Sequence, residues 1–301
     1  MMSNRHIFAI MAHDQFELTE SLIELLAHPR AASVLHLNVD NLAGVLHRHP
    51  TLDRAHLIPR VRVQWGAYSL LTVQLRLLRA ALDAGCDYVH LLSGKDLPLA
   101  PVSDILDFVD SSDGTEFIHI NPPAHTDQVI ERVSRYWSAG LLRGKVDRGP
   151  RGAALRVPQR GFVTAQGMLG VDRSRQWGRT VHSGSTWFTV TAELAQHFVD
   201  HEGWADQHLR KTFVPEEFFY ATMAIHSARR SHIDPGVSDH FANLRHIRWN
   251  PGSRGHPHTW RMEDLPELAS SPNMFARKFD LTVDRDVVDA VVEMASRGPT
   301  S

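Results

Sequence analysis

The sequence predicts an α/β domain whose central, mostly parallel sheet is flanked by helices. Short apolar runs alternate with helical patterns through the first third of the chain, which is typical of parallel strands joined by helical crossovers. Ile7–Ala12 and Ser33–Val39 are two such runs, and Glu17–Leu26 between them has helical periodicity. Ligands of such a β-α-β unit bind at the carboxyl ends of its strands. We therefore expect residues 1–122 to form a nucleotide-binding half.

The same alternation continues along the chain. Further strands are predicted at Leu57–Val63, Asp87–Leu92, Glu116–Ile120 and Asn243–Trp249, and further helices at Leu70–Leu82, Pro101–Val109, Thr191–His201 and Val283–Ala295. We expect one domain over residues 1–301, with an acceptor and catalytic half at 123–281 and a C-terminal helix within 282–301. Residues 140–161 are rich in Gly, Arg and Pro, which predicts a surface loop.

Composition indicates an ordinary globular protein. The 301 residues are 43% hydrophobic, and the net charge of −2 gives no electrostatic basis for binding a nucleic acid. No apolar run approaches the roughly 20 residues that an integral membrane segment needs. The single cysteine, Cys86, suits a reducing compartment. We expect a cytoplasmic protein, with peripheral association at a membrane left open.

Two acidic residues follow a proline in Pro215-Glu216-Glu217, directly before an aromatic run. Proline and glutamate both suit the first turn of a helix, so an ordinary acidic helix start is one interpretation. The following Phe218–Tyr220 predicts that this helix is mostly buried. A carboxylate beside a buried helix is partly desolvated, which is the environment that tunes an acid for proton transfer.

Polar residues also stand where the first two predicted strands end. His13 follows the first strand and Asp40 follows the second, so both are expected near a common ligand. Each could instead be a helix cap or a loop residue. The chain has no Gly-x-Gly-x-x-Gly, His-Glu-x-x-His or Cys-x-x-Cys sequence. We therefore expect neither a dinucleotide cofactor nor a dedicated metal site.

Several motifs in order resemble the core-2/I-branching glycosyltransferase family, which includes β-1,6-N-acetylglucosaminyltransferases and peptide O-xylosyltransferases. The motifs are Ala12-His13, Leu35–Asp40, Trp65-Gly66, Leu91–Leu99, Gly184–Phe188, Pro215–Thr222 and Phe275–Asp280. The resemblance implies a GT-A-like fold and inverting transfer from a UDP-sugar. It also implies that no cofactor and no metal are needed.

The resemblance assigns a role to each matching residue. It implies that Glu217 is the catalytic base, and that Arg277 and Lys278 bind the phosphates. For a second phosphate-binding cation the nearest matches are His258 and Arg254. It implies a uridine site at His13, Asp40 and Trp65. It implies a sugar and acceptor site at Asp96, Ser185, Trp187, Glu216 and Trp249.

The leading hypothesis is thus an inverting glycosyltransferase that moves a sugar, GlcNAc or xylose, from a UDP-sugar to a glycan, lipid-linked or peptide hydroxyl. One alternative is a nucleotide-sugar-binding protein without turnover. Another is a glycoside hydrolase, which needs two cooperating carboxylates roughly 5–10 Å apart. Glu216 and Glu217 are sequence neighbours whose side chains diverge on a helix, which disfavours a hydrolase built on this pair.

Overall fold

The computed structural model describes residues 5–137, 150–235, 242–249 and 257–297, with the backbone alone given for 150–157. Its nine strands are β1 (His6–Ala12), β2 (Ala31–Leu37), β3 (His56–Leu57), β4 (Tyr88–Ser93), β5 (Asp96–Pro98), β6 (Phe117–Ile120), β7 (Gly184–Thr191), β8 (Arg245–Ile247) and β9 (Phe275–Arg277). Six of them form the central sheet in the order β3-β2-β1-β4-β7-β6. Only β7 runs opposite to the other strands of this sheet.

Helices cover both faces of the central sheet. Within the described ranges they are α1 (Phe16–Leu25), α2 (Leu42–Arg48), α3 (Tyr68–Asp83), α4 (Val102–Asp110), α5 (Pro123–Val129), α6 (Glu131–Ser134), α7 (Pro150–Met168), α8 (Ala192–Asp200), α9 (Glu202–Leu209), α10 (Glu216–Ile225), α11 (Leu265–Ala269) and α12 (Arg285–Arg297). The predicted α/β class, a single domain with a mostly parallel sheet between helices, is confirmed. No helix in these ranges is long and apolar enough to cross a bilayer.

Strand β1 shows how the sequence divides the core between the two faces. Successive side chains of a strand point to opposite faces, so a strand buried on both sides reads as a continuous apolar run. Ile7 and Ala9 join the cluster formed with α3, α8 and α10. Phe8 and Ile10 join the cluster formed with α1 and α4. The carboxyl end of β1 therefore lies between two fully covered faces.

A second, three-stranded sheet has the order β5-β9-β8. In it β5 runs antiparallel to β9 with Asp96 opposite Arg277, and β8 runs parallel to β9. Helix α12 covers this sheet through Val287 and Val291, which pack with Phe279. The small sheet brings the chain from residue 275 onward back beside the end of β4.

The prediction of a surface loop over 140–161 was wrong for residues 150–161, which lie in α7. Residues 140–149 lie outside the described part of the chain. Ala, Leu, Arg and Gln in this stretch favour a helix, and tertiary contacts outweigh its glycines and Pro158. Gln159, Val163 and Gln166 are buried at helical spacing. Gln166 also bonds both backbone groups of Tyr136, at 2.7 Å to N–H and 3.0 Å to the carbonyl.

The third strand is also shorter than predicted. It consists of His56–Leu57, so only Leu57 of the predicted Leu57–Val63 lies in it. Pro59 has no N–H to donate to a ladder. Beyond it, side chains of β2 and its end accept the backbone bonds instead: Val61 N–H donates to His36 Nε2 at 3.0 Å, and Val63 N–H to Asn38 Oδ1 at 3.2 Å. Residues 58–63 therefore stay beside the end of β2 without being a strand.

Candidate active site

Glu216 and Glu217 begin α10 and point into different environments. Glu216 is buried, with 3% of its surface exposed, and its Oε2 has no hydrogen-bond partner. The side chain of Glu217 is 39% exposed and its Oε2 accepts a hydrogen bond from Arg132 Nη1 at 2.8 Å. The two carboxylates thus diverge as predicted, and of the two only Glu217 is accessible to solvent.

Burial changes the acidity of both carboxyl groups. Burial, together with the neighbouring charge of Glu217, raises the pKa of Glu216 to about 8. Burial also raises the pKa of Glu217, while the guanidinium of Arg132 opposes that rise. Near neutral pH, Glu216 is thus held largely as the neutral acid. Glu217, next to a fixed cation, is the carboxylate suited to accept a proton.

The start of α10 is fixed by the segment that contains Trp65. Val214 N–H donates to the carbonyl of Gly66 at 2.9 Å, and the rings of Trp65 and Phe213 pack edge to face at 5.6 Å. Gly66 has a φ of +75°, and a Cβ there would lie 2.6 Å from the Phe213 ring. Only glycine suits this close approach. The half-exposed Trp65 is therefore held next to the turn that leads into Glu217.

Three of the predicted site residues form one contact group. Arg277 Nη1 donates to Asp96 Oδ1 at 2.7 Å, and its guanidinium lies 4.2 Å from the centre of the Trp187 ring. Asp96 is fully buried and its other oxygen accepts a hydrogen bond from Ser93 N–H at 2.9 Å. The cation of Arg277 is thus held by a carboxylate on one side and an aromatic face on the other.

Lys278 lies beside this group in a basic environment. Burial, followed by the charges of Lys95 and Arg277, lowers the pKa of its ammonium group. Lys278 forms no ion pair with any residue in the described ranges. Lys95, by contrast, pairs with Asp14 at 2.8 Å and with Asp280 at 3.4 Å. Crowded cations with one unpaired ammonium form a site suited to an anion.

His13 belongs to the same neighbourhood, because Lys95 and Arg277 both act on it electrostatically. Burial chiefly lowers the pKa of its imidazole, and the two cations lower it further. The ring lies 3.4 Å from Asp14. The structure therefore brings His13 at the end of β1 together with Arg277, one of the two cations that the resemblance assigned to the phosphates.

The two candidates for a second phosphate-binding cation remain predictions. The imidazole of His258 pairs with Asp264 at 2.7 Å, and Arg248 binds the same carboxylate. His258 is tied to Lys278 through the backbone, since Lys278 N–H donates to its carbonyl at 3.4 Å. Arg254 lies outside the described residues.

The remaining predicted residues lie around the edge of this region. Asp40 is highly exposed and pairs with Arg60 at 2.6 Å. Ser185 Oγ accepts hydrogen bonds from Trp187 N–H at 3.1 Å and from Asn243 Nδ2 at 3.0 Å. Trp249 is exposed beyond β8, where it bridges to Pro257. No contact in the described residues joins Asp40 or Trp249 to Glu217.

Sequence reasoning missed four residues that hold the site. They are Arg132, Lys95, Asn243 and Arg245. Arg245 is fully buried and donates to the carbonyls of Phe188 at 2.7 Å and Leu91 at 3.2 Å, which fastens the small sheet to β7 and β4. Lys95 lies inside a motif that the resemblance used, so only its role was missed. Nothing local marks Arg132, whose partner is 85 residues away.

Strand β7 connects the carboxylate and the cations. Its Phe188 packs on Tyr220 of α10 with ring centres 4.9 Å apart, and its Trp187 lies under Arg277. Among the described residues, no group of three or more His, Cys, Asp or Glu is arranged to hold a metal ion. A partly exposed carboxylate and a group of cations beside the strand ends of a mostly parallel sheet define an α/β protein with a candidate site for an anionic ligand.

The particular family follows from comparison of the sequence with known proteins. The sequence model described as "Core-2/I-Branching enzyme" matches residues 7–269, and the chain belongs to this family. Xylosyltransferase sqv-6 of Caenorhabditis elegans is 25% identical over 276 residues, which are 82% of this chain and 30% of the relative. Xylosyltransferase 2 of Homo sapiens is 23% identical over 287 residues, 84% of this chain and 29% of the relative. The chain thus spans about a third of the length of these relatives.

Solved structures give a much weaker likeness. The crystal structure titled S. aureus TarS 1-349 has a TM-score of 0.27 and 9% identity, over 78% of this chain and 75% of that chain. A second structure, titled S. aureus TarS, has a TM-score of 0.28 and 13% identity, over 37% of this chain and 20% of that chain.

Proposed function

We propose that this protein is an inverting glycosyltransferase that moves a sugar from a UDP-sugar to a hydroxyl group without a metal ion. The observation that carries the proposal is the position of Glu217, which is partly exposed at the start of a buried helix and bonded to Arg132. Family membership supports the class of reaction. The finer features of the reaction rest on the chemistry of the site.

In the proposed reaction Glu217 takes the proton of the acceptor hydroxyl. The acceptor oxygen then attacks the anomeric carbon from the face opposite the nucleotide, and the bond from that carbon to the β-phosphate oxygen breaks. The sugar is transferred with inversion, UDP leaves, and the proton remains on the Glu217 carboxyl. A positioned general base of this kind contributes roughly 10²–10⁴-fold to the rate.

Fixed cations balance the negative charge that develops on the leaving UDP. Lys278 supplies an unpaired ammonium group, and Arg277 supplies a guanidinium whose position is set by Asp96 and Trp187. Cations aimed at developing charge stabilise a transition state without any rearrangement at the moment of reaction. This arrangement supports transfer without a divalent ion, with His13 and Trp65 at the nucleotide side of the site.

For the donor we propose UDP-xylose or UDP-GlcNAc. The relatives named above are xylosyltransferases, which favours xylose of the two. The acceptor is a glycan, lipid-linked or peptide hydroxyl. We place the enzyme in the cytoplasm, which the single cysteine suits.

The hydrolase alternative is weakened by the state of Glu216. A hydrolase would need a second carboxyl group that reaches the substrate, whereas Glu216 is buried and shielded from solvent. A nucleotide-sugar-binding protein without turnover remains the second candidate, because Arg277 and Lys278 alone would be enough to bind the phosphates of the nucleotide.

A donor screen in EDTA tests the proposal. The full chain is incubated with UDP-xylose, UDP-GlcNAc and other UDP-sugars, with and without simple sugar or serine-peptide acceptors, and UDP release is measured. We expect UDP release in EDTA, and a β-linked product from the α-linked donor. An absolute requirement for Mn²⁺ would refute metal independence, and an α-linked product would refute inversion. UDP binding without release from any donor would favour the binding protein.

A further inference from the structure

Helix α7 carries an apolar surface that faces solvent. Met168 and Leu169 at its end are 84% and 80% exposed, and Phe162 is 44% exposed. Val163 and Gln166 of the same helix are buried, whereas Met168 is its last residue and Leu169 follows directly after it. We call Phe162, Met168, Leu169 and the half-exposed Tyr136 the apolar tip. Exposed apolar residues grouped in this way mark an interaction surface.

The tip projects from the protein because the chain reverses directly after it. Gly170 has a φ of +65°, and its N–H donates to the carbonyl of Gly167 at 3.1 Å. Val171 N–H donates to the carbonyl of Gln166 at 3.0 Å. These two bonds form a Schellman motif, which ends a helix and turns the chain away. Met168 and Leu169 therefore lie where the helix ends, with both side chains almost fully exposed.

Cations surround the apolar tip. Lys211 Nζ and the Arg173 guanidinium lie 5.6 and 4.9 Å from the centre of the Tyr136 ring, and Tyr136 is bonded to α7 through Gln166. Arg135 lies against α7, with its Nη2 3.6 Å from where a Cβ on Gly167 would be. Within the part of the chain that the structure describes, none of these three cations pairs with a carboxylate. The Arg173 guanidinium instead donates to the backbone carbonyl of Lys211 at 2.9 Å and to that of His208.

We propose that the apolar tip and its basic rim dock this protein on an anionic lipid bilayer. Protruding Met, Leu and Phe side chains enter the headgroup and acyl boundary, as the apolar residues of interfacial helices do. Tyrosine suits that boundary because its ring is apolar and its hydroxyl stays hydrated. The exposed Lys211 and the neighbouring Arg135, neither of which pairs with a carboxylate in the described residues, complement the negative headgroups. We would expect a peptide or a second protein to bind at a concave or flat surface. Met168 and Leu169 are instead almost fully exposed.

The apolar tip is separate from the candidate active site, but the helix that carries it packs against the segment that leads into Glu217. Val163 of α7 packs with Phe213 and Val214, the residues that precede α10. Bilayer docking goes beyond the proposed function and does not depend on it. Its test therefore measures binding and not transfer, so that its failure and a failure of the glycosyltransferase proposal are distinguishable.

The test is sedimentation of the full chain with vesicles. Vesicles of phosphatidylcholine mixed with phosphatidylglycerol are compared with vesicles of phosphatidylcholine alone. We expect binding to the mixed vesicles, weakened by added salt because surface charges are screened. Met168→Asp with Leu169→Asp should weaken the apparent affinity about tenfold or more, since it removes both inserted side chains. Lys211→Glu should weaken binding to the mixed vesicles and leave any binding to phosphatidylcholine vesicles unchanged.

The matched control is Leu42→Asp with Met262→Asp, which makes the same charge change at two exposed apolar residues on other elements. This control should bind the mixed vesicles more tightly than the tip variant does. Absence of vesicle binding, or equal loss in both double variants, would overturn the proposal. So would a wild-type dimer that the tip variant converts to a monomer in sedimentation velocity, because the tip would then be covered by a second copy of the chain.

Discussion

Arg132 donates a hydrogen bond from Nη1 to Oε2 of Glu217 at 2.8 Å, which joins α6 to the first turn of α10. Both side chains are about one-third exposed, so solvent screens the pair and its contribution to stability is small. Its effect on acidity is more important. Burial raises the pKa of Glu217 and Arg132 opposes that rise, so the pair sets the pH at which Glu217 becomes a base.

Replacement of Arg132 should therefore move the acidic limb of the pH profile. In Arg132→Ala the opposing charge is lost, so the pKa of Glu217 rises. As pH is lowered, kcat/KM for transfer should therefore begin to fall at a higher pH than in the wild type. Arg132→Lys keeps a positive charge and should return the limb towards its original position. An unchanged limb in Arg132→Ala would show that Glu217 is not the group whose ionisation limits the reaction.

Glu217→Gln should separate binding from transfer. The amide keeps the size of the side chain but cannot accept the proton of the acceptor, so transfer should fall by roughly 10²–10⁴-fold. UDP should still raise the melting temperature of the variant, because the cations are untouched. Glu216→Gln is the matched control and should keep most of the activity, since Glu216 is already largely neutral. Equal losses in the two variants would contradict the assignment of the base.

Burial of Glu216 should make stability depend on pH. Its pKa rises from 4.5 to about 8 on folding, so between these values the folded chain holds a proton that the unfolded chain has released. The free energy of unfolding therefore decreases as pH rises through this range. Glu216→Gln has no proton to lose, so its advantage over the wild type should grow from near zero at about pH 4 to roughly 2–4 kcal/mol at about pH 8.

Urea unfolding at several pH values measures this difference. Glu263→Gln, at an exposed glutamate, is the control for loss of a carboxyl group. It should follow the wild-type dependence. A difference between Glu216→Gln and wild type that stays constant from acid to neutral pH would mean that Glu216 is ionised in the folded protein.

Much of the fold could be predicted because apolar periodicity reports burial directly. The continuous run at β1 and the capped helix after β7, where Thr191 Oγ1 accepts from Leu194 N–H at 3.3 Å, follow from local sequence. The helix over residues 150–168 could not be predicted in the same way. Its glycines and Pro158 indicate a loop, and the contacts of Gln166 with Tyr136 that favour the helix are tertiary.

The candidate site divides in the same manner. Glu217, Arg277 and Lys278 lie in motifs that a resemblance can detect, and the register of β5 and β9 then places Asp96 opposite Arg277. Arg132 and Arg245 escape such reasoning because their partners are distant in sequence. That His258 pairs with Asp264 was equally invisible, since nothing in its local sequence shows which charge it meets.

Lys278→Ala should weaken UDP binding without destabilising the free protein. Burial and the charges of Lys95 and Arg277 lower the pKa of Lys278, so its ammonium group is disfavoured until an anion arrives. Loss of a charged hydrogen bond to phosphate should weaken UDP binding roughly 10–100-fold.

Lys211→Ala, which removes a lysine beside Tyr136, is the control and should bind UDP as the wild type does. Calorimetric titration in EDTA measures the affinity, and thermal unfolding without UDP should show a melting temperature at least as high as that of the wild type. Equal UDP affinity of Lys278→Ala and the wild type would refute the phosphate contact. A lowered melting temperature of the free variant would mean that the ammonium group of Lys278 stabilises the fold in the absence of a ligand.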